Sequence, residues 1–157
     1  MKQKDLQTEL KQTRPFKTPA EEAFVGLQRT ADQMMRRATQ FMKSWGISPT
    51  QYNVLRILRG AGPDGLCCGE ISDRMITSDP DITRLLDRIE KLGWIERARS
   101  TKDRRVVLAK ISKKGLELLK QMDQPIEDFN QENSKHMSEK KLRELISLLA
   151  EVRSGAE

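Results

Sequence analysis

The feature that most constrains this fold is a helix-like stretch followed at once by two strand-like runs around a basic loop. Apolar residues recur at helical spacing over positions 82–92, and Gly93 ends the stretch. Residues 94–97 and 106–111 are rich in apolar, β-branched and aromatic types, and the polar, basic segment 98–105 lies between them. The pattern predicts a helix that leads into a β-hairpin.

A second short helix is expected just before this one, around residues 70–76, and a short apolar strand over 66–68 precedes it. Ser78 or Asp79 is placed to cap the helix that follows. Two short helices joined by a tight turn and followed by a hairpin are typical of a winged helix-turn-helix. The predicted fold class is therefore mainly α with a small β-wing.

Longer amphipathic helices are predicted on both sides of this unit. Thr18 begins the first, with Glu21 completing a capping box, and Gly46 ends it. A second capping box, Ser48 with Gln51, begins the next helix.

Two further helices are expected toward the carboxyl terminus. Ser112 is placed to cap the first of them, and Ser138 to cap the last. Pro125 lies inside the first and should kink or split it, because proline lacks the N–H that the helix requires.

The net charge of +6 is unevenly distributed. Segment 79–114 holds eleven Lys and Arg against six Asp and Glu, whereas segment 115–157 has an acidic excess of three. A concentrated basic segment favours nucleic acid as the first partner, with an anionic membrane surface second. No run of about 18 apolar residues is present, so we expect no membrane span.

The remaining sequence features point to a cytoplasmic protein without cofactor or metal. The polar segment 1–17 does not resemble a signal peptide. Cys67 and Cys68 are adjacent, so they cannot form a disulfide framework or a structural zinc site, and we expect small buried apolar side chains. His136, the single histidine, is expected to be solvated.

No enzyme chemistry is indicated. The sequence shows no nucleophile with a base, no metal cluster and no phosphate-binding loop, and the glycine-rich segment 60–65 lacks the Lys-Ser/Thr that such a loop needs. Two classes remain: a DNA-binding regulator, and a winged helix that makes only protein contacts. The basic helix and loop favour the regulator.

Three segments resemble the MarR family of transcriptional regulators. Residues 47–58 look like its second helix, residues 81–95 like its recognition helix and first wing strand, and residues 102–105 with 108–115 like its wing and the exit into the next helix. The resemblance covers residues 20–153 in helix order and spacing.

The resemblance implies a homodimer that binds a pseudopalindromic DNA site. It also implies a repressor, which a small aromatic or anionic effector releases from the DNA. The amphipathic stripes of the first and last helices agree with pairing of two chains. We accordingly divide the chain into a flexible arm (1–17), an amino-terminal dimerisation helix (18–46), a winged-helix DNA-binding domain (47–111) and carboxyl-terminal dimerisation helices (112–157).

Helix position and charge select the candidate DNA contacts, because the amino-terminal end of a recognition helix meets base edges. The family pattern adds that Asp103 holds Arg105, which enters the minor groove. Asp79 and Asp81 depart from the expected charge, and we expect them to cap the helix or to meet a cytosine amino group. The candidate DNA-binding residues are Ser78, Asp81, Thr83, Arg84, Arg88, Arg99, Lys102, Asp103, Arg104 and Arg105.

An effector pocket is expected where the family binds small anionic aromatics, between the dimer helices and the winged domain. Plain core packing is the competing interpretation, because apolar stripes at helical spacing are usually core. The candidate pocket residues are Met34, Arg37, Phe41, Trp45 and Tyr52.

Overall fold

The computed structural model describes residues 5–77, 81–101 and 103–155 as seven α-helices and three β-strands. In chain order the elements are α1 (Leu6–Glu9), α2 (Pro19–Met42), α3 (Pro49–Ala61), β1 (Leu66–Cys67), α4 (Cys68–Ser72), α5 (Ile82–Lys91), β2 (Ile95–Arg99), β3 (Val107–Ile111), α6 (Lys113–Ser134) and α7 (Glu139–Ser154). Short 3₁₀ turns at Lys43–Trp45 and Gly62–Asp64 follow α2 and α3.

The three strands form one antiparallel sheet in the order β1-β3-β2. Ile95 pairs with Ile111 and Arg99 with Val107 in the hairpin, and Leu66 of β1 pairs with Ala109 on the other edge of β3. The predicted strands are thus confirmed, with β2 extending two residues further than expected.

The core lies between the sheet and helices α3, α4, α5 and α6. Leu58, Ile71, Leu86 and Leu119, one from each of these helices, have no exposed surface. Sixteen buried apolar residues form this single cluster, which fixes α5 and the hairpin on one framework.

Helix capping largely follows the prediction. The side chains of Ser48, Ser112 and Ser138 each accept a hydrogen bond from a backbone N–H three residues on. The Ser48–Gln51 capping box is confirmed. Thr18 caps α2 as expected, but the Glu21 carboxylate accepts from the N–H of Lys17, 2.8 Å away, instead of closing a box on Thr18.

Three local predictions need correction. Pro125 does not split its helix, because α6 runs continuously from Lys113 to Ser134, with Met122 buried before the proline and Ile126 packed on the same core after it. Helix α4 begins and ends earlier than the predicted 70–76, because the Glu70 carboxylate accepts the N–H of Cys67 and starts the helix there. The arm 1–17 contains the helical turn α1, which the sequence pattern did not predict.

The wing and α6 meet backbone to backbone at Gly115. A Cβ atom there would lie 2.3 Å from the carbonyl oxygen of Trp94, closer than any real contact. Ser112 adds two bonds across the same junction, from its N–H to Trp94 and from its hydroxyl to the carbonyl of Gly93. The hairpin base is therefore anchored on the first turn of α6.

Helices α2 and α7 leave apolar side chains at the surface. Their exposed large apolar residues are Phe24, Leu27, Met34, Met35, Leu145, Ile146, Leu148 and Val152. No residue of α7 among those described is buried. The described chain does not itself cover these apolar faces.

Candidate nucleic-acid interface

The first turn of α5 carries an arginine held by a carboxylate. Asp81 is the N-cap residue, and its Oδ1 accepts the backbone N–H of Arg84 at 3.1 Å. Its Oδ2 lies 3.0 Å from Nε of the same Arg84. The expectation that Asp81 caps the helix is confirmed, so the other predicted cap, Ser78 or Asp79, is wrong for α5. Ser78, Asp79 and Pro80 themselves lie outside the described residues.

The rest of α5 divides cleanly into an inner and an outer face. Leu85, Leu86 and Ile89 are buried in the core. Thr83, Arg84, Arg88 and Lys91 are exposed. The helix thus presents hydroxyl and cationic groups outward along its length, as a major-groove reading helix requires.

Arg97 of β2 ties the hairpin to α5. Its Nη2 lies 2.5 Å from Oδ1 of Asp87 and 2.7 Å from Oε2 of Glu90, and its Nε donates to the same Glu90 oxygen. The hydrogen bonds that Arg97 donates to Glu90 raise the pKa of Arg97 above its ordinary value, and the bond to Asp87 adds to this against the opposing effect of burial. In the sequence, Arg97 is only one of the eleven basic residues of segment 79–114. The acidic residues Asp87 and Glu90, one turn apart on the helix, were the available signal of a partner.

The tip of the wing carries a second held arginine. Asp103 Oδ1 accepts the backbone N–H of Arg105 at 3.0 Å and its Nε at 3.2 Å, and Oδ2 lies 3.3 Å from Nη2. The first of these bonds, with the side-chain bonds second, lowers the pKa of Asp103 below its ordinary 3.8. The Arg105 side chain is nonetheless 91% exposed. The pairing that the resemblance implied is therefore present, and it leaves the guanidinium accessible.

Two other predicted wing residues lie beside this pair. Arg99 Nη1 donates to the carbonyl oxygen of Arg104 over 3.5 Å, and both side chains are exposed. Lys102 lies outside the described residues.

Most of the candidate effector residues are used in packing or lie on the open surface. Phe41 stacks on Phe129 with ring centroids 4.5 Å apart. Arg37 donates to Oδ1 of Asn133. Met34 is exposed, and Trp45 packs against the core.

Tyr52 instead lines a cleft of about 430 Å³ between α3 and α6. Arg56 lies over its ring, with the guanidinium carbon 6.0 Å from the centroid, and burial raises the pKa of the phenol. Arg59 on the same wall donates to both oxygens of Asp123. The other four candidate pocket residues are absent from the described lining of this cleft.

The two cysteines are free and half-buried, and Cys68 packs against the core, so the expected burial is only partial. His136 is exposed, as predicted. Within the described ranges, no set of three metal-ligating side chains occurs, and none of the helices combines the length and apolar character needed to traverse a bilayer.

Comparison with known proteins identifies the family. The MarR family model matches residues 47–107, which span α3 through the hairpin. The multiple antibiotic resistance protein MarR of Salmonella typhimurium is 31% identical over 120 residues, covering 74% of this chain and 81% of that protein.

This chain belongs to the MarR family.

Other members agree in fold and in named role. The transcriptional repressor MprA of Escherichia coli is 30% identical over 93 residues, covering 59% of this chain, and the chain spans about half of MprA, 53%. A crystal structure of a mutant MarR from E. coli complexed with operator DNA has a TM-score of 0.74 at 25% identity, covering 95% of this chain and 99% of that one. The winged-helix fold class is confirmed, and these relatives are regulators rather than enzymes, as the sequence predicts.

Proposed function

We propose that this MarR-family chain binds duplex DNA at specific sequences and regulates transcription. The observation that carries the proposal is the pair of exposed arginines, Arg84 on α5 and Arg105 on the wing, each oriented by an aspartate. An oriented guanidinium is suited to the planar, bidentate recognition of bases and to a fixed place in a groove. The operator-bound relative supports the same use of the fold.

In this proposal α5 enters the major groove and the wing enters the adjacent minor groove. Thr83 and Arg84 meet base edges, Arg88 meets the backbone, and Arg105 reads the width and potential of the minor groove. The remaining contacts are assigned to Ser78, Arg99, Lys102 and Arg104. Asp81 and Asp103 act by orienting Arg84 and Arg105.

We propose further that two copies pair through the helices outside 47–111. The exposed apolar faces of α2 and α7 support this division of the chain into a reading domain and dimerisation helices. Removing residues 137–157, which include all of α7, should then give monomers that bind DNA poorly. A full-length chain that sediments as a stable monomer at micromolar concentration contradicts the dimer.

Repression relieved by a small anionic aromatic molecule is the proposed mode of control. MprA is named a repressor. The cleft beside Tyr52 supports this with an aromatic ring and the cations Arg56 and Arg59, although Asp123 and Glu127 also line it.

Salt dependence of DNA affinity tests the proposal. The affinity of the full chain for labelled duplexes, measured by fluorescence anisotropy, should fall steeply with salt, with a slope near −0.9 for each neutralised phosphate. Arg84→Ala and Arg105→Ala should each cost about 1–3 kcal/mol of specific binding, the first by relaxing discrimination at one base pair and the second at A·T-rich flanks. Lys140→Ala, at an exposed cation on α7, is the control and should change little.

Affinity that stays flat from low to moderate salt contradicts the DNA proposal and favours the protein-contact alternative. Asp103→Ala separates orientation from charge. It makes the chain more positive but frees Arg105, so we expect weaker operator binding; stronger binding would refute the role given to the wing.

A further inference from the structure

We infer that Asp81 is a specificity-determining residue, which holds Arg84 ready for a base and withholds it from the phosphates of other DNA. The inference rests on the proposed function. Asp81 places a negative charge at the start of the recognition helix, where a DNA-binding surface is ordinarily positive.

Both carboxylate oxygens of Asp81 are directed at one residue. Oδ1 accepts the backbone N–H of Arg84 at 3.1 Å, and Oδ2 is 3.0 Å from Nε. The cap fixes the position of the carboxylate on the helix, and the ion pair then fixes the direction of the arginine. The contact is made through Nε, and the Arg84 side chain stays 77% exposed.

This arrangement favours a base over a phosphate for two reasons. A free arginine loses rotamer entropy when it docks, and one that is already held loses less, so a base within its reach is recognised at lower cost. A phosphate that lies away from the direction in which Arg84 is held is reached only if Arg84 leaves Asp81, which then exposes a carboxylate to the DNA backbone. Specificity is the difference between the two affinities, and Asp81 lowers the non-specific one.

The Asp103–Arg105 pair on the wing differs from the Asp81–Arg84 pair in the second role of its carboxylate. Asp103 holds Arg105 through Nε and Nη2 and orders a loop. Asp81 is also the N-cap of the reading helix, so its negative charge stands at the helix end that meets the bases.

The test compares operator and non-operator binding. The full-length wild type first selects a duplex from random sequences, and the affinities for that duplex and a scrambled duplex of equal composition are then measured at fixed salt. Asp81→Asn and Asp81→Ser keep an N-cap acceptor and remove the charge. We expect tighter binding to scrambled DNA and a specificity ratio lowered about tenfold, with a steeper salt slope as Arg84 turns to phosphate.

The Arg84→Ala background identifies the mechanism. Asp81→Asn should leave the ratio unchanged there, because no arginine remains to be held; an equal fall in both backgrounds would mean plain charge repulsion and would overturn the inference. An unchanged ratio in both Asp81 variants, with wild-type thermal stability, also overturns it and leaves the proposed function standing. A wild type that selects no sequence overturns the proposed function and the inference together.

Discussion

The winged region and the flanking helix α7 use their apolar side chains in opposite ways. Helix α5 turns Leu85, Leu86 and Ile89 into the core of its own chain. Helix α7 also carries an apolar stripe, yet Ile146 is 65% exposed and none of its described residues is buried. The first pattern makes a unit that is complete within the chain. The second leaves the apolar side chains of α7 exposed unless another molecule covers them.

The contrast agrees with the two roles proposed for these regions, DNA binding and dimerisation. The reading elements are braced internally, by Arg97 between α5 and β2 and by the backbone contact of Gly115 with Trp94. Helices α2 and α7 leave apolar side chains exposed, and the proposed second copy would cover them. Changes in the two regions should therefore have different consequences for stability, assembly and DNA binding.

The largest expected effect follows from charging the open face of α7. Leu148 and Val152 lie one turn apart and are exposed. Replacing both with Glu should raise the dimer dissociation constant by about 1,000-fold, because two charges would have to be desolvated in an apolar interface. Sedimentation equilibrium across a concentration series measures the change.

Ile76→Glu is the matched control, because Ile76 is 79% exposed but belongs to the winged region. It should leave the dimer intact. If the Ile76→Glu chain and the doubly substituted α7 chain associated equally well, the two regions would not differ in dimerisation as proposed.

A smaller but clear effect is expected at the junction of wing and α6. Gly115→Ala places a methyl group against the Trp94 carbonyl and Ile111 Cγ1, so we expect a loss of about 3 kcal/mol in the free energy of unfolding. Gly60→Ala in α3 meets nothing within 4 Å and should instead stabilise by about 0.5–1 kcal/mol. Urea denaturation of both variants measures the contrast, and a harmless Gly115→Ala would contradict this packing.

Removing the brace between wing and reading helix should cost about 1–2 kcal/mol. Arg97→Ala leaves the carboxylates of Asp87 and Glu90 without their shared cation. The control is Arg143→Ala, which breaks an exposed pair with Glu139 on α7 and should cost at most about 0.5 kcal/mol. Equal losses would show that the brace contributes no more than a surface ion pair.

The smallest effect concerns the pH dependence of the wing. Because the pKa of Asp103 is lowered, its stabilising contacts are fully present above 3.8 and are lost as the pH falls through the folded-state value. Titration of the carboxyl carbon by NMR should place that pKa below 3.8. Arg105→Ala should raise it only part of the way, since the backbone N–H of residue 105 is the larger cause and remains. A complete return to 3.8 in that variant would contradict the assignment.

What the sequence predicted well was local. The caps at Ser48, Ser112 and Ser138 depend on a hydrogen bond that closes within three residues, so the sequence contains both partners side by side. The stripe of α5 and the strand pairing of the hairpin were readable for the same reason, because periodicity records which face is buried.

What the sequence missed depends on contacts between elements. Arg97 reaches Asp87 across ten positions, and Phe41 stacks on Phe129 from a distant helix, so neither partner follows from spacing. Pro125 removes one backbone donor but not the packing of Met122 and Ile126 on the core, and that packing holds α6 together.

The most direct test of the account is the symmetry of the DNA that the chain selects. The full-length protein is mixed with fragmented genomic DNA, and the bound fragments are sequenced. Two reading helices related by a two-fold axis predict an inverted repeat whose half-sites are about 10 base pairs apart. A single unrepeated half-site, or no enriched sequence at all, would contradict the claim that α5 and the wing read DNA while α2 and α7 pair two copies.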